Sequence, residues 1–178
     1  MISGSTPRSA ARAFTVLELL IAVGIVAILG GLLVMALGGL RSRAQRAQCM
    51  ANLRSLHVAA SLYVQENDQW PQVYTVANKD KSDEEFAELW IAALEPFGIA
   101  RKAWICPTIQ NDLGNPDYST PAEARIDYIA TAFDDKPTSP GQWPNQPWFI
   151  ERGKVHGKGN LIIFADGSVV QSDELIGR

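Results

Sequence analysis

The sequence predicts an α+β chain: one long N-terminal helix, transmembrane in its first half, packed on a small antiparallel sheet with loops. Three observations carry this expectation. Residues 19–40 hold no charge at all. No proline interrupts residues 8–70, and the later part of that stretch places apolar residues at helical spacing. Near the C-terminus, the apolar run Leu161–Ala165 leads into Asp166-Gly167, a two-residue hairpin signal.

Composition bounds the function. The chain has 178 residues, the size of one ordinary domain. Hydrophobic residues make up 47% and charged residues 20%, which argues against wholesale disorder. A net charge of −3 argues against a nucleic-acid binder, which needs a basic face. The mean hydropathy of −0.03 averages two unlike parts, an uncharged segment and a soluble remainder.

The first element is the run Leu19–Leu40, 22 residues long. At about 1.5 Å per residue it spans roughly 33 Å as a helix, close to the bilayer's hydrocarbon thickness of about 30 Å. Cleavable secretory signals have shorter apolar cores, and no Ala-x-Ala site follows, because Gly38-Gly39-Leu40 runs straight into Arg41. The run therefore reads as a single-pass anchor. The leader Met1–Ala13 carries Arg8 and Arg12 and no acid. One carboxylate, Glu18, stands at the start of the apolar stretch, where a charge is costly and a simple anchor gains nothing from it.

Phe14-Thr15-Val16-Leu17-Glu18-Leu19-Leu20, after a small residue and a basic leader, resembles the N-terminus of type IV prepilins and type II secretion pseudopilins. The resemblance implies cleavage by a prepilin peptidase between Ala13 and Phe14, then N-methylation of Phe14. Most members have Gly before the cut, and Ala13 departs from that. The resemblance also gives Glu18 an assembly role, pairing with the Phe14 amine of a neighbouring subunit and setting axial register, as a polar residue does in a coiled coil. An α-amine is mostly protonated near neutral pH, so the pair has opposite charges. Arg8 and Arg12 favour a cytoplasmic N-terminus, whereas Arg41, Arg43 and Arg46 argue for the reverse by charge count. The resemblance decides for a cytoplasmic N-terminus and an extracytoplasmic domain.

The helix is expected to continue past Leu40. Cys49, Leu53, Leu56, Ala60 and Tyr63, with Met50, His57 and Val64, form one stripe of an amphipathic helix ended by Asn67-Asp68-Gln69-Trp70-Pro71. The domain plan is thus a leader over 1–13, a transmembrane and assembly helix over 14–40, its amphipathic continuation over 41–69, and a small α+β domain over 70–178. The stretch CMANLRSLHVAASLYVQENDQWP, with Trp104-Ile105-Cys106-Pro107 and the segment Val155–Val169, is similar to a pseudopilin-like subgroup in which a His precedes an apolar strand ending in Asp-Gly. It implies a pilin-like fold. Ser82 and Glu85 form a capping-box signal for a helix over Asp83–Glu95, which Pro96 closes. Thr108–Pro147 reads as loop with one short strand near Ile126–Thr131. Leu161–Ala165 is apolar on both faces, which predicts a central strand covered by the long helix, with Ser168–Gln171 returning beside it.

Few residues suggest chemistry. Cys49 and Cys106 are the only cysteines. They are compatible with a disulfide outside the cytoplasm or with two buried thiols. His57 sits on the helix stripe and is expected to pack against the domain. His156 lies ten residues before Asp166, so a His156–Asp166 contact across the fold is conceivable, as a catalytic pair or as a hydrogen bond fixing the loop. No nucleophile elbow accompanies them. The two Cys and two His lie too far apart in sequence to read as a zinc site. The pseudopilin resemblance makes calcium an option, with Asp112, Asp117, Asp127, Asp134, Asp135, Asp166 and Asp173 available, but no EF-hand loop selects ligands, so the metal stays unassigned and no cofactor is expected. Trp143 and Trp148, if exposed, would suit a glycan or a partner.

The expected function is a non-enzymatic subunit of a type II secretion pseudopilus or type IV pilus. It is placed in the inner membrane before assembly. Its partners would be the prepilin peptidase, other pilin or pseudopilin subunits in a homo- or hetero-polymer, and an inner-membrane assembly platform. The alternatives are a minor tip pilin binding cargo or glycan, and a membrane-tethered binding or enzymatic domain.

Overall fold

Helix α1 spans Val16–Asn67 in a computed structural model that describes residues 15–114, 123–133, 142–157 and 159–176. The chain divides into two compact units, Met1–Arg41 and Ser42–Arg178. In the first, α1 is long and apolar enough to cross a membrane by length and composition. Its start is capped by Thr15, whose Oγ1 accepts from the Glu18 backbone N–H at 3.2 Å. The leader with Ala13, and Phe14 beyond the expected cut, lie outside the described residues.

In the second unit α1 becomes one-sided. Cys49, Leu53, Leu56 and Ala60 are fully buried, while Val58 and Leu62 on the other face are exposed. The helix ends at Asn67, where Asp68 takes a left-handed conformation at φ 55°. A short polar side chain tolerates that conformation, and the Asp68 N–H closes the last turn on Val64 O at 2.9 Å. Helix α2, Asp83–Leu94, starts with the expected capping box, Ser82 and Glu85 each bonding the other's backbone N–H. It buries Ala87, Trp90, Ile91 and Leu94.

The sheet has four antiparallel strands in sequence order: β1 Tyr128–Ala130, β2 Pro147–Glu151, β3 Leu161–Phe164 and β4 Val169–Gln171. β3 is internal, as its two apolar faces require. β2 is the other internal strand, and it begins at Pro147, the last residue of the expected loop. The β3–β4 connection is also one residue longer than expected. Gly167 N–H reaches Phe164 O at 3.0 Å and Phe164 N–H reaches Ser168 O at 3.1 Å, so Ala165-Asp166-Gly167 forms a three-residue loop. Gly167 sits at φ 77°, the left-handed position such a loop demands of its last residue. Two short helices, α3 Pro107–Asp112 and α4 Ser172–Ile176, occupy stretches without a strong period.

One buried cluster joins these parts: Leu53 and Leu56 from α1, Trp90 and Leu94 from α2, Phe149 and Ile163 from the sheet. Trp70, just after α1, is its aromatic hub. Its ring lies 5.0 Å from Trp148, 5.1 Å from Phe133 and 5.8 Å from Phe149, and its Nε1–H donates to Thr131 O at 3.0 Å. Burying each such ring contributes about 1.5–3 kcal/mol.

The cap of α2 has a pH signature. The hydrogen bond from the Ser82 N–H, then Lys81, holds the Glu85 carboxyl below the ordinary Glu range. A depressed folded pKa gives stability that is present above the unfolded value and lost as pH falls through the folded one. The urea stability of wild type should therefore fall toward that of Glu85→Gln between about pH 6 and pH 3, with no such convergence above it.

Candidate functional site

Two regions bear on function, one in each unit. In the first, α1 is apolar on all sides. The large side chains from Val16 to Val34 are 53–77% exposed, and no residue of the most apolar window is buried. Glu18 interrupts this surface within the first turn of the helix.

In the second unit, four ligand-type side chains converge. Cys49 comes from α1, Cys106 stands just before α3, Glu151 ends β2, and His156 lies on the β2–β3 connection. One donor atom from each lies within 4.8 Å of all the others. The Cys49 and Cys106 sulfurs are 2.7 Å apart, Cys106 Sγ is 3.8 Å from His156 Nε2, and His156 Nε2 is 3.1 Å from Glu151 Oε1. Both cysteines are free, and the site is closed: the His156 and Glu151 side chains are 3% and 0% exposed.

Local structure holds each of these residues. Asp127 Oδ2 accepts the Cys106 N–H at 2.8 Å, and Asn52 Nδ2, one turn along α1 from Cys49, donates to Ile105 O at 3.0 Å. Asn160 Nδ2 donates to Glu151 O at 3.0 Å, and the Leu161 N–H approaches Glu151 Oε2 at 3.4 Å. The hydrogen bond to Cys49, then burial, pushes the Cys106 thiol up. Burial, then the Cys106 sulfur, pushes the Glu151 carboxyl up to about 7 against the pull of His156. Burial, then the two sulfurs, pushes the Tyr128 phenol up, so it stays protonated beside them.

The structure thus regroups the residues singled out in the sequence. Cys49, Cys106 and His156 meet, although their sequence separation hid any zinc-type set. His156 and Asp166 do not pair: His156 is held by Glu151 and Cys106, while Asp166 Oδ1 accepts the Ser168 N–H at 2.8 Å within its own turn. His57 instead meets that turn, its Nε2 2.9 Å from Ala165 O and its ring 4.6 Å from Trp148. Glu151 was missed because Pro147–Glu151 follows a Pro-rich stretch; the signal was an aromatic and β-branched run, Trp148-Phe149-Ile150, before Gly153.

Of the calcium candidates, Asp117, Asp134 and Asp135 lie outside the described residues. Asp127 is buried on Arg125 Nε at 2.7 Å and is committed to that ion pair. Trp148 is buried and Trp143 is 56% exposed, so they do not form an exposed aromatic pair. No protein-family model, curated protein or solved structure matches the chain.

Asn52 ties α1 to the segment carrying Cys106. Asn52→Ala removes its donor to Ile105 O and to the Tyr128 hydroxyl, 3.4 Å away. Urea unfolding should show a loss of about 2 kcal/mol with an unchanged m value.

Proposed function

We propose that the chain is a pilin-like structural subunit of a type II secretion pseudopilus or a type IV pilus. It is processed between Ala13 and Phe14 and polymerised through the first part of α1. The observation that carries this reading is a helix that is apolar all round yet keeps one carboxylate, Glu18, near its start. An apolar helix exposed on every side needs an apolar surround, either lipid or neighbouring helices. A lone carboxylate in that surround costs up to about 3 kcal/mol at the bilayer centre and less near an end. A fixed cationic partner offsets that cost. The processed N-terminal amine of a neighbouring subunit supplies one at the right end of the helix. The prepilin-like residues around Glu18 support the same reading.

In this role the protein catalyses nothing. The prepilin peptidase frees the Phe14 amine and the N-methylated terminus pairs with Glu18 of the next subunit. An inner-membrane platform adds subunits while the domain stays on the extracytoplasmic side. The domain buries its tryptophans except Trp143, which gives a glycan- or cargo-binding tip role little support.

The test is Glu18→Ala in cells that carry the peptidase and the assembly machinery. The variant should insert and be cut like wild type, while its content in sheared filaments falls at least tenfold, the effect of about 1.4 kcal/mol per subunit contact. Glu18→Asp should recover part of the loss. Unchanged assembly of Glu18→Ala would leave the carboxylate without a role and favour a plain tether.

A further inference from the structure

The cluster under α1 contains the donor set of a transition-metal centre. We propose that Cys49 Sγ, Cys106 Sγ, His156 Nε2 and Glu151 Oε1 form a four-coordinate structural zinc site. The proposal stands on residues 42–178 alone and does not depend on the filament reading.

Thiolate, imidazole and carboxylate are the ligands zinc takes in proteins, at about 2.3, 2.0 and 2.1 Å respectively. A tetrahedron with those bond lengths has edges of roughly 3.3–3.8 Å. The Cys106–His156 and His156–Glu151 separations of 3.8 and 3.1 Å are close to such edges. The sulfurs, at 2.7 Å, must separate by about one ångström to match. The side chains come from four separate segments, a helix, a helix start, a strand end and a connection, and a small rotation of Cys49 or Cys106 supplies the movement.

The rival arrangement is a disulfide between Cys49 and Cys106, and the surroundings argue against it. A disulfide is neutral and asks nothing of its neighbours. Here a carboxylate and an imidazole are buried against the two sulfurs, at 0% and 3% exposure, with the Leu161 N–H near the second carboxylate oxygen. Buried polar groups of this kind are retained where they are hydrogen-bonded, paired or bind a metal, and here they pair at 3.1 Å beside two sulfurs. A divalent cation uses all four groups at once. Asp127, Asn52 and Asn160 fix the backbone of the ligand-bearing segments, the outer-sphere arrangement that orients metal ligands.

On binding, each thiol, and the Glu151 carboxyl where it is protonated, loses its proton to solvent; the two thiolates, the imidazole lone pair and the carboxylate then take the four positions. No electrons are transferred. Four protein ligands leave no open position, so the centre is structural: it pins α1 to the start of α3, the end of β2 and the β2–β3 connection.

The test is metal analysis and intact mass of the full-length chain, extracted in detergent without reductant. The expected result is one zinc per chain, both thiols intact by mass, and zinc content reduced at least tenfold in Cys106→Ser and in Glu151→Gln. Replacing zinc by cobalt should give thiolate-to-cobalt charge-transfer bands and intense tetrahedral d–d bands, which follow the site even if a variant folds poorly. A metal-free chain two hydrogens lighter than the dithiol overturns the proposal in favour of the disulfide. Free thiols that take up no added zinc or cobalt overturn it too, as does zinc retained in both variants.

Discussion

Helix α1 meets two solvation demands in succession, and the other features follow from that. Through its first unit it carries apolar side chains on every face, with a single acid at the start. Through its second it buries one stripe, Cys49 to Ala60, and shows its opposite face to solvent. The backbone hydrogen bonds of a helix are satisfied internally, so the same secondary structure serves in either surround and only the side chains change. A strand could not do this without partners along its whole length.

The second unit turns that stripe into a domain. Its sheet is small, with strands of three to five residues, and alone would be marginal. Packing on α1 and α2 supplies what the sheet lacks, through the aromatic hub at Trp70 and the aliphatic residues of the helix. The polar cluster at Cys49 lies in this same core. In an apolar core its four groups must be satisfied by one another or by a shared cation, which makes the cluster the most demanding part of the domain.

Elements governed by a local period were legible in the sequence. The stripe of α1, the Ser82–Glu85 capping box of α2 and the apolar β3 all depend on spacings within a few residues. The strand signal of β2, Trp148-Phe149-Ile150, is short and follows a Pro-rich stretch, so pairing with β1 and β3 is what sets its bounds. Asp-Gly alone predicts a two-residue β3–β4 turn, whereas here Gly167 takes the left-handed third position of a longer loop. The candidate site was the least legible part. Cys49 and Cys106 are 57 residues apart, and Glu151 gains its meaning from a fold that sequence spacing does not encode. Asp166 looked like a partner for His156, but a local turn uses that carboxylate.

We propose that this chain works as a processed filament subunit. The most direct measurement is the N-terminal sequence and intact mass of the protein purified from its native membrane. A processed filament subunit would begin at N-methylated Phe14. A chain that begins at Met1, or one cut near Arg41, would contradict it.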